Sequence, residues 1–258
     1  MNNLCSLEGK VIIVTGGYGH LGKSIVENLR ENSALVCVLG REKKKFENVF
    51  QGIALEKLLF FECDISQDDS VKKAILGVIQ KFKQIDGLIN NAYFMEGYGA
   101  MPKTSEFSYG LEGTLTSVYR LIKETIPFME EKSKGSVVNI ASMYGMVSPD
   151  FKVYEKSSNY LSPPNYGAAK SGVIQITKYF SHLLGLKGIR VNCVSPGPFP
   201  SLEVQKDKSF INKLSGKTAL GRIGDPQELG GIISFLCSDQ ASYITGQNIA
   251  VDGGWTSR

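Results

Sequence analysis

The chain has 258 residues, 42% of them hydrophobic and 21% charged, the make-up of a water-soluble globular protein long enough to bury one sizeable core. A formal charge of +4 is too small for a nucleic-acid surface and suits a protein that handles anionic cofactors or substrates. The start MNNLCSLEGK lacks the regions of a signal peptide, no apolar run reaches the ~18 residues that span a bilayer, and the five scattered cysteines form no C-x-x-C pair. The expectation is a cytoplasmic protein with free, mostly buried thiols, no metal site, and no nucleic-acid or membrane partner.

VIIVT (11–15) reads as a buried strand, after which Leu21, Ile25 and Leu29 line one helix face. Between them, TGGYGHLG (15–22) sets Gly17, Gly19 and Gly22 in the G-x-G-x-x-G pattern. Glycines let the backbone turn tightly and approach a pyrophosphate, whose charge meets the free amides of the helix start. Gly16, Gly19, His20 and Leu21 are assigned to a dinucleotide here, with His20 either touching phosphate or filling the turn beside Tyr18. The next strand, LVCVL (35–39), runs into GREKKK (40–45). The pattern expects an acid near this point to hold a ribose hydroxyl, and Arg41 stands there instead. A guanidinium holds the 2′-phosphate that a carboxylate repels. NADP(H) is therefore favoured over NAD(H), while Lys43 to Lys45 read as a solvated helix start.

LLFFEC (58–63) is a further strand, followed by a helix carrying Val71, Ile75, Val78 and Phe82, and then by the strand DGLIN (86–90). A long helical stretch bears Phe107, Leu111, Leu115, Val118 and Ile122. SVVNIAS (136–142), IRVNCVS (189–195) and QNIAVDGG (247–254) complete the strands, with helices around 166–185 and 227–238. Continuous apolarity means strands covered on both faces. Strand–helix alternation throughout predicts an α/β fold, a doubly wound parallel sheet flanked by helices on both faces. No repeat or linker divides the chain, so residues 1–258 are expected to form one domain. The stretches 143–165 and 198–218 follow no regular period and are expected to be long loops or lids. His182, within YFSHLLG, reads as structural.

Two segments, YRLIK (119–123) and YGAAK (166–170), set tyrosine and lysine four positions apart, on one face of a helix. A tyrosine that exchanges a proton needs its pKa of ~10 brought towards neutrality. An ammonium ~4 Å away is worth ~4 kcal/mol at an effective dielectric of 20, roughly three pKa units before desolvation opposes it. Tyr119 lies amid Leu115, Val118 and Ile122 in a long amphipathic helix, whereas Tyr166 opens its helix after the breaker SPPN (162–165), with only Gly167 to Ala169 before Lys170. YGAAK is the candidate pair.

TGGYGHLG, CDIS (63–66), NNA (90–92), VVNIAS (137–142), YGAAK, IRVNCVSPG (189–197) and TGQNIAVDGG (245–254) together resemble the short-chain dehydrogenase/reductase family, in order and over nearly the whole chain. The resemblance implies a Rossmann-like fold and hydride transfer between a nicotinamide and a carbonyl or alcohol carbon. It implies Tyr166 as acid/base, Lys170 as the group that binds the nicotinamide ribose and lowers the tyrosine pKa, and Ser142 as the holder of the substrate oxygen. Asp64 and Ile65 would border the adenine, Asn90 and Asn91 the adjoining ribose, and Pro196, Gly197, Phe199 and Ser201 the nicotinamide. Three positions depart from the family pattern: His20 and Tyr93 stand where glycine is usual, and Thr114 where the catalytic asparagine is usual. The glycine spacing is nearer the extended branch, the length and DGGW ending nearer the classical one.

Between Ser142 and Tyr166 the chain carries more residues than the family usually has, and this insertion, 143–165, must leave the site and return. Its Tyr144, Tyr154, Tyr160, Lys152, Lys156, Asp150 and Glu155 suit a polar, hydroxylated ligand better than a steroid or fatty acyl chain. The alternative is a surface decoration or oligomer contact. Together with the DGGWTS ending, the insertion resembles the branch of bacterial surface-glycan and flagellin modification, which implies a small sugar-like substrate. Two other function classes remain beside the reductase: an epimerase or dehydratase using nicotinamide transiently, and a non-catalytic NADP-binding protein of the same fold. Family resemblance also implies a homodimer or homotetramer through the helices at 105–132 and 166–185 and the C-terminal strand.

Overall fold

The computed structural model describes residues 5–53, 55–97, 99–155 and 157–257. Lys156 of the insertion and residues 1–4 of the start segment therefore lie outside the described residues. In chain order the elements are β1 (Val11–Thr15), α1 (His20–Glu31), β2 (Leu35–Gly40), α2 (Lys43–Val49), β3 (Leu58–Glu62), α3 (Asp68–Phe82), β4 (Gly87–Asn90) and α4 (Thr104–Leu111). There follow α5 (Ser117–Glu131), β5 (Gly135–Ile140), α6 (Phe151–Tyr154), α7 (Pro164–Leu184), β6 (Ile189–Pro196), α8 (Lys208–Ser215), α9 (Gln227–Cys237) and β7 (Asn248–Val251). All seven strands are parallel, in the order β3-β2-β1-β4-β5-β6-β7. The order reverses between β1 and β4, and ligands of open α/β sheets bind outside the strand ends at such a point.

The unbroken apolar runs follow from burial on both faces. Along β1, Ile13 packs into the layer with Val71, Ile75, Val118, Ile122 and Val173 of α3, α5 and α7. Ile12 and Val14 point the other way, onto Ile25, Leu29, Leu229 and Ile233 of α1 and α9. Cys37, Cys63, Cys193 and Cys237 are buried in these layers without disulfides, while Cys5 is half-buried. No helix among the described residues is long and apolar enough to cross a membrane.

Two stretches differ from expectation. Within 143–165 lie a helical turn at Met143–Gly145, α6, and a second turn at Ser158–Tyr160; 198–218 contains the eight-residue helix α8. These stretches pack on one another. Met143, Tyr144, Val153, Tyr154 and Leu161 form a small core with Phe210 and Leu214 of α8 and with Trp255, and Asp150 pairs with Lys217 at 2.5 Å. Short apolar spacing over four to eight residues is too brief to read as a helical period, and the contacts that fix it come from distant parts of the chain.

The long helix expected at 105–132 is interrupted by a π turn over Glu112–Thr116. Gly113 explains it. Its carbonyl accepts from the Ser117 hydroxyl (2.8 Å) and the Phe94 amide (3.4 Å), which opens the regular ladder at that point. A Cβ on Gly113 would stand 2.0 Å from the Phe94 carbonyl oxygen.

Candidate active site

The C-terminal ends of β1 to β6 open into one cleft of about 680 Å³, a size suited to a cofactor. Every residue assigned from the sequence lines it except Asn90. At one end is the glycine turn. Gly16 takes a left-handed φ of +63°, and a Cβ on Gly22 would lie 2.2 Å from the Gly16 carbonyl oxygen. The turn is braced by Asn91, whose amide donates to the carbonyls of Thr15 (3.0 Å) and Gly16 (3.2 Å). The cap residue Gly19 offers no side-chain acceptor to the first turn of α1, and that turn holds no acid. Its amides therefore face the cleft ready for an anion, with Gly19, His20 and Leu21 at its wall. Gly17 is not part of this wall: it is buried, and a Cβ there would strike Val26 and Val38. It serves helix–sheet packing.

Asn90 is a second correction. It is buried, and its amide donates to Asn139 (2.8 Å), which donates to Thr177 (2.8 Å) of α7, whose hydroxyl donates to the Val173 carbonyl (2.8 Å). This chain fixes α7, and with it Tyr166, against β4 and β5. Neighbouring asparagines on a strand face opposite sides, so only one of the pair at 90 and 91 can reach the cleft. His182, read from the sequence as structural rather than functional, is exposed on α7 and lines no part of the cleft.

Beyond the glycine turn, Arg41 and Lys45 line the side above β2, and Asp64 and Ile65 the side above β3. Asp64 accepts from the Ser66 amide (2.9 Å) and hydroxyl (2.8 Å). Those bonds, with help from Arg41 and Arg120, hold its carboxyl below the usual range. Arg120 ties the β3 side to the π turn: it donates to the Ile65 carbonyl (2.7 Å), to Glu112 of the π turn (2.7 Å) and to Asp68.

At the far end Ser142, Tyr166 and Lys170 meet, with Pro196, Gly197, Phe199 and Ser201 opposite. Ser142 follows β5 and caps the next turn, accepting from the Tyr144 amide at 3.1 Å. Pro163 and Pro164 start α7, where a missing N–H costs nothing, and Tyr166 and Lys170 share its inward face. Lys170 is 4% exposed, and its ammonium donates to the Ile140 carbonyl at 2.6 Å. It stands 5.7 Å from the Tyr166 ring centre and 5.3 Å from that of Tyr93, and the two rings are 5.8 Å apart.

The electrostatics correct one expectation. Burial pushes the Tyr166 phenol above its ordinary value, with Tyr93 and Tyr154 adding to the rise and a hydrogen bond with Ser142 opposing it. Burial pulls Lys170 down to about 7. The fall expected at Tyr166 is thus outweighed, because taking the phenol itself out of water disfavours its charged form. Thr114 contributes no bond either: 1% exposed, its hydroxyl has no partner among the described residues. The sequence pattern did not point to Tyr18, Glu42, Phe94 and Val204, which line the cleft together with the exposed Lys45. Tyr18 was open to notice, standing inside the glycine turn itself.

These features agree with what the chain is similar to. A family described as Enoyl-(Acyl carrier protein) reductase matches residues 19–256. The 3-oxoacyl-(acyl-carrier-protein) reductase FabG of Thermotoga maritima is 31% identical over 256 residues, covering 96% of this chain and 98% of its own. The 2,5-dichloro-2,5-cyclohexadiene-1,4-diol dehydrogenase of Sphingobium indicum is 30% identical, covering 98% and 100%. Among solved structures, a short chain dehydrogenase of Leptospira borgpetersenii with bound NAD+ superposes with a TM-score of 0.86 at 31% identity over 99% of this chain and 96% of that one. ElxO with NADP bound gives 0.86 at 26% identity over 96% and 99%. Matches of this extent, on a seven-stranded sheet with the cleft at its reversal point, place the chain among the oxidoreductases of the classical short-chain dehydrogenase/reductase family, whose cofactor is NAD(P)(H).

Proposed function

We propose that the protein is an NADP(H)-dependent oxidoreductase acting on a carbonyl or alcohol carbon of a polar, sugar-like substrate, of the kind used in surface-glycan biosynthesis. The observation that carries it is the meeting of Ser142, Tyr166 and Lys170 in the cleft that begins at the glycine turn. The cleft fits the dinucleotide: the unopposed amides of α1 suit its pyrophosphate, and Arg41 suits a 2′-phosphate. A bound nicotinamide supplies or removes the hydride. In reduction, Tyr166 gives its phenolic proton to the substrate oxygen while Ser142 holds that oxygen by a hydrogen bond. A phenol raised above its ordinary value remains protonated at neutral pH, the form that reduction requires. Lys170, near 7, holds a proton at its Nζ that can restore the phenol after turnover.

The sugar-like substrate is supported by the wall beside Tyr166. There Tyr144, Ser148 and Ser162 of the stretch 143–165 line a cavity of about 410 Å³ with Gly167 and Ser171 of α7, and hydroxyl-bearing side chains suit the hydroxyls of a sugar. The exposed rings of Tyr119 and Tyr179 beside Leu183 favour a homodimer or homotetramer through α5 and α7. A second reading, a 3-oxoacyl thioester reductase, is favoured by the names of the relatives. Turnover of NADPH with keto-sugars, nucleotide-linked sugars and 3-oxoacyl thioesters separates the readings. Faster reaction with the thioesters selects the second, and sugar conversion without net NADPH consumption selects an epimerase or dehydratase. Loss of activity with all ligands in Tyr166→Phe, at unchanged NADPH binding, is the expected control.

A further inference from the structure

The dinucleotide end of the cleft contains a phenol that the glycine pattern does not assign. Tyr18 stands inside the turn, and its ring lies so close to the end of β2 that a Cβ on Gly40 would be 2.4 Å from it. Phe60 of β3 backs it at 6.4 Å between ring centres. The Tyr18 hydroxyl oxygen accepts from the amides of Arg41 (3.0 Å) and Glu42 (3.2 Å). Two accepted bonds occupy both lone pairs and leave the phenolic proton to donate. No hydrogen bond among the described residues uses it. Arg41 and Lys45 line the same end of the cleft, and the Lys45 ammonium is 5.9 Å from the Tyr18 ring centre. Of the nearby carboxylates, Glu42 is engaged by Lys45 at 3.8 Å and Asp64 by the Ser66 amide.

We propose that Tyr18 is a specificity-determining residue whose hydroxyl donates to the 2′-phosphate of the adenosine ribose, forming a three-donor subsite with Arg41 and Lys45. The inference rests on the NADP(H) reading above and adds a neutral donor to it. Arg41 and Lys45 are exposed, flexible cations, and ordering them opposes binding. Tyr18 is held from both sides by its two accepted bonds and by its ring packing, so its proton is aimed before the ligand arrives. A bond to a charged phosphate oxygen is about twice as strong as one to a neutral hydroxyl, which is how a neutral donor contributes to discrimination.

The test is calorimetric titration of NADPH, NADH, 2′,5′-ADP and 5′-AMP into the full chain and into Tyr18→Phe and Arg41→Leu. Tyr18→Phe keeps the ring against Gly40. It is expected to weaken NADPH and 2′,5′-ADP by about tenfold while NADH and 5′-AMP stay within about twofold, and to raise the KM for NADPH at constant kcat. An equal loss for all four ligands makes Tyr18 a strut of the turn and overturns the proposal. Unchanged or tighter NADPH binding overturns it too, the freed amides of Arg41 and Glu42 then serving the phosphate instead. If Arg41→Leu loses 2′,5′-ADP binding and Tyr18→Phe does not, the proposal fails alone. If the full chain binds 2′,5′-ADP no better than 5′-AMP, the NADP(H) reading fails and takes the proposal with it.

Discussion

Tyr119 and Tyr166 each stand four positions before a lysine, on helices that touch, and their surroundings are opposite. Tyr119 is 49% exposed on α5 and leans on Phe180 at 6.3 Å. Its lysine, Lys123, is exposed and pairs with Glu124 at 3.5 Å. Tyr166 lies against Tyr93 under the 143–165 stretch, and Lys170 is buried and bonded to a strand carbonyl. Geometry along the helix is shared, so it is not what distinguishes the pairs. Position relative to the sheet is: α7 starts above the strand ends, and its first turn enters the cleft. Water screens the outer pair, whereas Lys170 of the inner pair is buried and loses charge to desolvation.

The largest expected effect tests that contrast at the reacting group. Tyr166→Phe should lower kcat by about 10²–10⁴-fold with NADPH affinity retained, and Tyr119→Phe should leave kcat within error. Equal losses in the two variants, read from steady-state rates, break the comparison. At the junction of the two helical regions, Gly113→Ala should destabilise the fold by about 2–4 kcal/mol, because its Cβ meets the Phe94 carbonyl oxygen at 2.0 Å. Gly185→Ala, with no heavy atom within 4 Å, is the control in the same urea titration.

The lysines sharpen it further. Lys170 falls from an ordinary 10.5 to about 7 in the folded chain, so below 7 both folded and unfolded chains carry the proton and the folded one bears the full cost of a buried charge. Between 7 and 10.5 the unfolded chain keeps a proton that the folded chain has released, and wild-type stability rises with pH over this window. Lys170→Met should therefore stabilise the fold, by roughly 1–3 kcal/mol below pH 7, with the gain shrinking towards zero by pH 10.5. Lys123→Met should show no such dependence in thermal melts across pH. The smallest effect belongs to the small aromatic core under the 143–165 stretch. Tyr144 and Tyr154 share a hydrogen bond between buried hydroxyls. Tyr154→Phe should cost about 1 kcal/mol in the urea titration, with kcat and NADPH binding unaffected.

Much of this was legible in the residues. VIIVT, LVCVL and IRVNCVS announced strands covered on both faces, and the breaker SPPN put Tyr166 at a helix start. What escaped depends on contacts between distant parts of the chain. The π turn arises because Phe94 and Ser117 compete for one carbonyl. Asn90 turns inward because Asn139 and Thr177 await it. The charge states at 166 and 170 follow from a depth of burial that spacing along a helix does not encode.

The parallel sheet sends all its strand ends to one side, and the stretch from 143 to 165 departs and returns there without crossing a strand. Segments on that rim can lengthen or be exchanged while the layers beneath keep their register. A scaffold wired in this way lets ligand choice drift across generations as the redox machinery stays fixed, and small changes at the rim suffice to move it between metabolic roles.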